Sequence, residues 1–191
     1  MNAAAILKLF RQVDREVWLV TAQTGGRRGG LMATCVSQAS IVPDLPRVLV
    51  GLSRQHFTWE LVEASNAFAL HLLGDEQVDW VWRFGVQSGR DHDKFSGLNV
   101  QQSATGNPIL TEALGWLDCR VEAKLDSGDR TVYLAEVLDG SLKGSHTPLT
   151  VKRLSQLAPQ DKLQQMDDSR DRDAALDAPL IRAWRQQHPR P

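Results

Sequence analysis

Residues 116–138 read WLDCRVEAKLDSGDRTVYLAEVL. Two runs rich in apolar and β-branched residues, Trp116 to Leu125 and Thr131 to Leu138, flank the short polar segment Asp126-Ser127-Gly128-Asp129. Long strand-like runs joined by a brief glycine-containing turn make a β-hairpin. Working outward, Val17 to Gln23 (VWLVTAQ) reads as a strand, and TGGRRGG at 24–30 as a glycine-rich turn. Leu31 to Ile41 is a second strand, broken by Val42-Pro43 with Asp44 and Pro46; Val48 to Ser53 and Phe68 to Leu73 are two more. Leu149 to Val151 offers a last short one. Six main strands with antiparallel links predict a mainly β fold. The architecture expected is a six-stranded, Greek-key-like barrel, closed or nearly so, because closure removes unpaired strand edges.

Helices are expected to flank the barrel. Residues 3–15 place Ile6, Leu9, Phe10 and Val13 on one face. Phe57 to Ala64 and Glu76 to Phe84 are two further helices, the latter with Val78, Val81 and Trp82 at helical spacing. A polar loop, Gly85 to Asp93, follows. From Ser155 the chain turns polar and charge-dense. The division expected is a barrel domain over 1–154 and, over 155–191, a linker or mobile arm. Within that arm, Ala178 to Gln187 reads as a short helix docking through Leu180, Ile181 and Trp184.

Composition narrows the function. Apolar residues make up 42 % of the 191, enough for a real core, and the net charge is −1. Basic residues form no stripe, which argues against nucleic acid as a partner. The apolar run at the start is too short for a signal peptide, and no later stretch approaches transmembrane length, so the chain reads as soluble and cytoplasmic, with no membrane partner. Cys35 and Cys119 make no CxxC or zinc spacing and read as two buried thiols in a reducing compartment.

The usual catalytic devices are missing. Of His56, His71, His92, His146 and His188, none lies three or four residues from another, so no helical metal pair exists. There is no GxSxG nucleophile elbow and no GxxxxGK[ST] phosphate loop. The TGGRRGG turn lacks the GxGxxG pattern of a Rossmann site. What remains is a small-residue strand carrying Thr34 and Ser37, and the strand-to-helix passage carrying Ser53, Arg54, Gln55 and Thr58. The first N–H groups of a helix lack partners and carry partial positive charge, so a phosphate seats well there. Arg54 adds a charge and Thr58 a hydroxyl. The same residues also fit a plain helix cap and a solvated arginine. In SGRDHDKF, Ser88 to Phe95, Lys94 and Phe95 offer a cation and a ring to a planar anion, or the charges simply solvate a loop.

At these residues the sequence resembles the flavin reductase-like family, whose fold is the FMN-binding split barrel. Five stretches carry the resemblance in order, from about Val17 to Gly140: LVTAQTGG, GGLMATCVSQAS, VLVGLSRQHFTWELVEASNAFALHLL, RFGVQSGRDHDKFSGL with its DKF ending, and the closing hairpin. It is also similar to the reductase-like domain fused to flavodiiron proteins. The resemblance implies that Met32, Ala33, Thr34, Cys35, Val36 and Ser37 run along the flavin ring. Ser53, Arg54, Gln55 and Thr58 would hold the phosphate of FMN, with FAD as the alternative flavin. His71 would stand at the site where relatives often carry Asn, and Lys94 and Phe95 would close over the flavin. It further implies a homodimer with NAD(P)H as substrate, and hydride transfer needing no side-chain acid or base. The acceptor stays open among free flavin, iron chelates and a redox partner such as a monooxygenase. A flavin-binding electron-transfer protein with little NAD(P)H turnover is the other reading. Arg130 stands where the family's GDH turn has His, and its guanidinium suits a phosphorylated nicotinamide.

Overall fold

The computed structural model describes residues 2–144 and 147–189; His146 lies outside them. The elements are α1 (Ala3–Gln12), β1 (Trp18–Thr24), β2 (Arg27–Ala33), β3 (Val36–Gln38), β4 (Arg47–Ser53), α2 (Phe57–Ser65), β5 (Ala67–Leu72), α3 (Val78–Gly85), β6 (Val100–Gln102), β7 (Pro108–Leu110), β8 (Gly115–Asp126), β9 (Arg130–Leu142), α4 (Val151–Leu157) and α5 (Gln160–Gln187). Seven strands form one antiparallel sheet in the order β2-β1-β5-β8-β9-β4-β3, and β6 and β7 make a separate hairpin. The two edge strands, β2 and β3, are consecutive in sequence and joined only through Thr34 and Cys35. A link of two residues cannot span a flat seven-stranded sheet, whose strands lie about 4.8 Å apart. The sheet therefore curls into a half-barrel that brings its two edges within reach of that link.

β1 shows how the curl is filled. Leu19, Val20, Thr21 and Ala22 are all buried. Successive strand residues face opposite ways, so burial of every one means that both faces are covered. Val20 and Ala22 join the barrel interior with Leu52, Phe68 and Tyr133. Leu19 joins a second core outside it, with Phe84, Phe95, Leu110 and Leu149. Thr21 satisfies its hydroxyl by donating to the Pro108 carbonyl at 2.6 Å, which ties the β6–β7 hairpin to the sheet.

His71 on β5 is fully buried between these layers. Its Nε2 accepts from the Leu110 backbone N–H at 3.0 Å, so Nδ1 carries the proton and donates to the Leu19 carbonyl at 3.2 Å. Burial pushes its pKa down to about 4, with the Leu19 hydrogen bond opposing. The unfolded chain then binds the extra proton between about pH 6.5 and pH 4. The stability that His71 contributes is whole above that window and is lost as the pH falls through it. Urea titrations across the window will show wild-type stability falling with acid, and His71→Phe with a flatter profile. Parallel profiles exclude the assignment.

Several expectations are corrected. The second strand is two, because the chain leaves the sheet at Thr34 and Cys35 to cross the seam. Leu149 to Val151 forms no strand. A single bridge pairs Glu16 with Thr150, and α4 starts at Val151, capped by Thr150 accepting from the Arg153 N–H. The segment from Ser155 is no extended linker: α5 runs 28 residues, with Pro179 inside it. Of the three expected anchors on α5, Trp184 docks on the β8–β9 turn. A Cβ built on Gly128, whose φ is +94°, would lie 2.6 Å from the Trp184 Cβ and 2.8 Å from the Leu180 carbonyl. The Leu180 side chain stays exposed. Helix α1 forms as expected, yet none of its residues is buried, and Leu9 and Phe10 are 66 % and 63 % exposed.

Candidate functional site

A cavity of about 740 Å³ opens between β2, the seam, the end of β4, the start of α2, the loop after α3, and α5. Its volume lies in the range of small-molecule sites. The structure brings Met32, Ala33, Thr34, Cys35, Ser53, Gln55, Thr58 and Lys94 together on its wall. Cys35 is exposed there, which corrects its reading as a buried thiol, while Cys119 is buried. The crossing of the seam is what exposes Cys35.

The other expected residues lie elsewhere. Val36 and Ser37 face a separate groove with Trp18, Arg47 and Val137. Arg54 turns away from the cavity, pairs with Asp126 at 3.0 Å and stands 5.4 Å over the Trp59 ring. His71 is enclosed as described and does not reach the cavity. Phe95 is buried behind it, edge-on to Phe84 at 5.2 Å.

Lys94 acts as a tie rather than a surface cation. Its Nζ donates to the carbonyls of Gly30 on β2 and Phe84 on α3, at 3.0 and 2.9 Å. Burial pulls its pKa down to about 8. Arg90, on the loop after α3, donates to the Gln55 carbonyl at 3.1 Å and pairs with Glu60. The loop is thereby fastened to the start of α2. That start, at His56, has no side-chain cap, so first-turn N–H groups of α2 are left without the usual side-chain partner. Burial holds His56 below its ordinary pKa and neutral near pH 7.

Sequence reasoning missed one wall. Arg170, Arg172, Asp173 and Asp177 of α5 line the cavity, as does Arg130. Asp177 accepts from Ser53 Oγ at 3.3 Å, Gln55 Nε2 at 3.5 Å and Arg130 at 3.4 Å. Arg130 gives its Nε to Asp129 at 2.6 Å. Burial, then the Asp129 charge, pushes the Asp177 carboxyl above its usual range against the pull of Arg130 and Ser53. Among the described residues, the lining carries five arginines (Arg15, Arg90, Arg130, Arg170, Arg172) and two carboxylates, besides the buried Lys94. Such a wall favours an anionic ligand. No group of side chains among the described residues has metal-binding composition.

Beside this geometry stand the comparisons with known proteins. The profile of the flavin reductase like domain matches residues 10–156. The chain belongs to this family. The flavin reductase fold is also that of nitrilotriacetate monooxygenase component B from Mycobacterium thermoresistibile, which superposes with a TM-score of 0.67 at 28 % identity, over 77 % of this chain and 83 % of that one. High molecular weight rubredoxin from Moorella thermoacetica is 30 % identical over 75 % of this chain and 62 % of its own length. Ferric-chelate reductase (NAD(P)H) from Archaeoglobus fulgidus is 26 % identical over 71 % of this chain and 80 % of its own. The chain spans 62 %, 23 % and 60 % of the length of three curated relatives that it matches. No helix among the described residues is long and apolar enough to cross a membrane.

Proposed function

We propose that the chain is an NAD(P)H:flavin oxidoreductase that holds FMN in this cavity and works as a cytoplasmic homodimer beside a redox partner. The observation that carries the reading is a juxtaposition. One cavity combines the end of an edge strand and the crossing after it, which carry small residues at Gly30, Ala33 and Thr34, with an uncapped helix start. The strand lets a planar ring approach the main chain closely, and its edge offers backbone donors and acceptors. The helix start, with Ser53, Gln55 and Thr58, offers N–H, amide and hydroxyl groups to one terminal phosphate. The residues present therefore fit FMN. Bound flavin supplies the hydride-accepting chemistry. The chain supplies position: Lys94 fixes β2 against α3, and Phe57 and Phe84 wall off water.

Homodimerisation is supported by the apolar face of α1, which nothing among the described residues covers. A redox partner is supported by the relatives named as a monooxygenase component and a rubredoxin. One observation favours the second reading, electron transfer with little NAD(P)H turnover: α5 already walls one side of the cavity, which leaves less room for a second ligand beside the flavin.

The test is the visible spectrum of the purified protein with FMN, before and after anaerobic NADH or NADPH. Bleaching of the flavin bands within seconds is the expected result. Bands that bind and persist support electron transfer from another donor. Absence of bound flavin, FMN or FAD, overturns both readings.

A further inference from the structure

Three donors reach the Asp177 carboxylate of α5: Ser53 Oγ and Gln55 Nε2 face its Oδ1 and Arg130 its Oδ2, with the Asp129 carbonyl a second acceptor for the Ser53 hydroxyl. Two of these donors, Ser53 and Gln55, are those the flavin reading assigns to phosphate. We propose that α5 is a strap and Asp177 its latch: the carboxylate occupies the seat of the ligand's phosphate, so a phosphorylated flavin binds only as Asp177 leaves, while an unphosphorylated flavin binds with the strap closed. The proposal rests on the flavin reading above and makes Asp177 a determinant of selectivity at that site.

The charges argue for competition. Arg130 is already engaged by Asp129, so two carboxylates share one guanidinium. A phosphate entering beside both meets like charge as well as occupied donors. The strap can also leave. Of the 28 residues in α5 only Asp177 is buried, and the helix's exposed surface is predominantly polar. Its apolar hold includes Trp184 on Gly128. A helix docked through so little buried surface opens at low cost.

The test uses the full chain, Asp177→Asn, and Trp184→Ala, which removes the ring seated on Gly128 and leaves the three donors and the β8–β9 turn unchanged in sequence. Each is titrated with FMN and with riboflavin by flavin fluorescence. Asp177→Asn is expected to bind FMN about tenfold more tightly and riboflavin within about twofold of wild type. Trp184→Ala is expected to shift FMN in the same direction, so the latch is tested even where one variant folds poorly. In the wild type, α5 amides are expected to lose hydrogen-exchange protection on adding FMN and to keep it with riboflavin. Riboflavin binding with unchanged or weaker FMN binding in Asp177→Asn overturns the latch alone. An equal gain for both flavins overturns it too, since a general lid does not discriminate. No binding of either flavin overturns the flavin reading, and the latch with it.

Discussion

Phe84→Ala is expected to cost about 3–5 kcal/mol of unfolding free energy. The ring is 1 % exposed and packs edge-on to Phe95. A Cβ built on Gly30 would lie only 2.7 Å from it, so the ring presses directly on the main chain of β2. Removing it leaves a void behind the strand that forms the cavity wall. Urea denaturation gives the stability loss. Flavin affinity should fall with it at temperatures where the variant is still folded, because the wall loses its backing. Phe84→Leu fills most of the void and should lose less than half as much. A loss under about 1 kcal/mol for the alanine variant means that the core has closed around the gap, and the account of the wall fails.

Lys94→Met is the second large effect. Methionine fills the volume of the buried stem but leaves the Gly30 and Phe84 carbonyls without the donor they share. Stranding buried acceptors costs about 1–3 kcal/mol each, so a total loss of about 3 kcal/mol is expected after the relief of burying no charge. The pH dependence carries the sign. Folded Lys94 has its pKa lowered to about 8 from an ordinary 10.5. Between those values the unfolded chain binds the extra proton, so the wild type gains stability relative to Lys94→Met as the pH rises from about 8 to 10.5. Below that window the desolvation cost of the ammonium is present in full. A wild-type-minus-variant difference that is flat across the window shows Lys94 to be solvated.

How far these sites were legible in the sequence depends on what kind of signal each element carries. The hairpin at 116–138, β1, β4, β5 and the helices α2 and α3 show through their apolar patterns, since each buries a face of fixed period. The β6–β7 hairpin does not. Its strands are three residues long, and Gln101 and Gln102 are exposed. Helix α5 is the opposite failure. It is long, but its docking is polar, through Asp177, with one tryptophan against a glycine, and no stripe of hydrophobic residues announces it. The site divided along the same line. The helix start at Ser53, Gln55 and Thr58 follows from local chain geometry, while Met32 to Cys35 are indicated by the family resemblance. Where side chains point is set by tertiary partners. Asp126 draws Arg54 outward, and the Leu19 and Leu110 main chain draws His71 inward. None of those partners adjoins its residue in sequence.

The strand order also fixes when the molecule can exist. On one side β2, β1 and β5 hold together, on the other β4 and β3, and among the described residues only the β8–β9 hairpin joins the two groups by strand pairing. It is the keystone, and it lies late in the chain. A nascent chain that has emerged as far as β7 therefore carries two unfinished arcs, each with a bare edge waiting for a partner not yet made. The pairing of β4 with β9 closes a loop longer than any other in the sheet, and long loops close late. Until then β4 and β5 both present unpaired edges, the condition under which chains pair with one another instead. The hairpin whose sequence first reveals the barrel is thus also the segment whose arrival ends its most aggregation-prone interval.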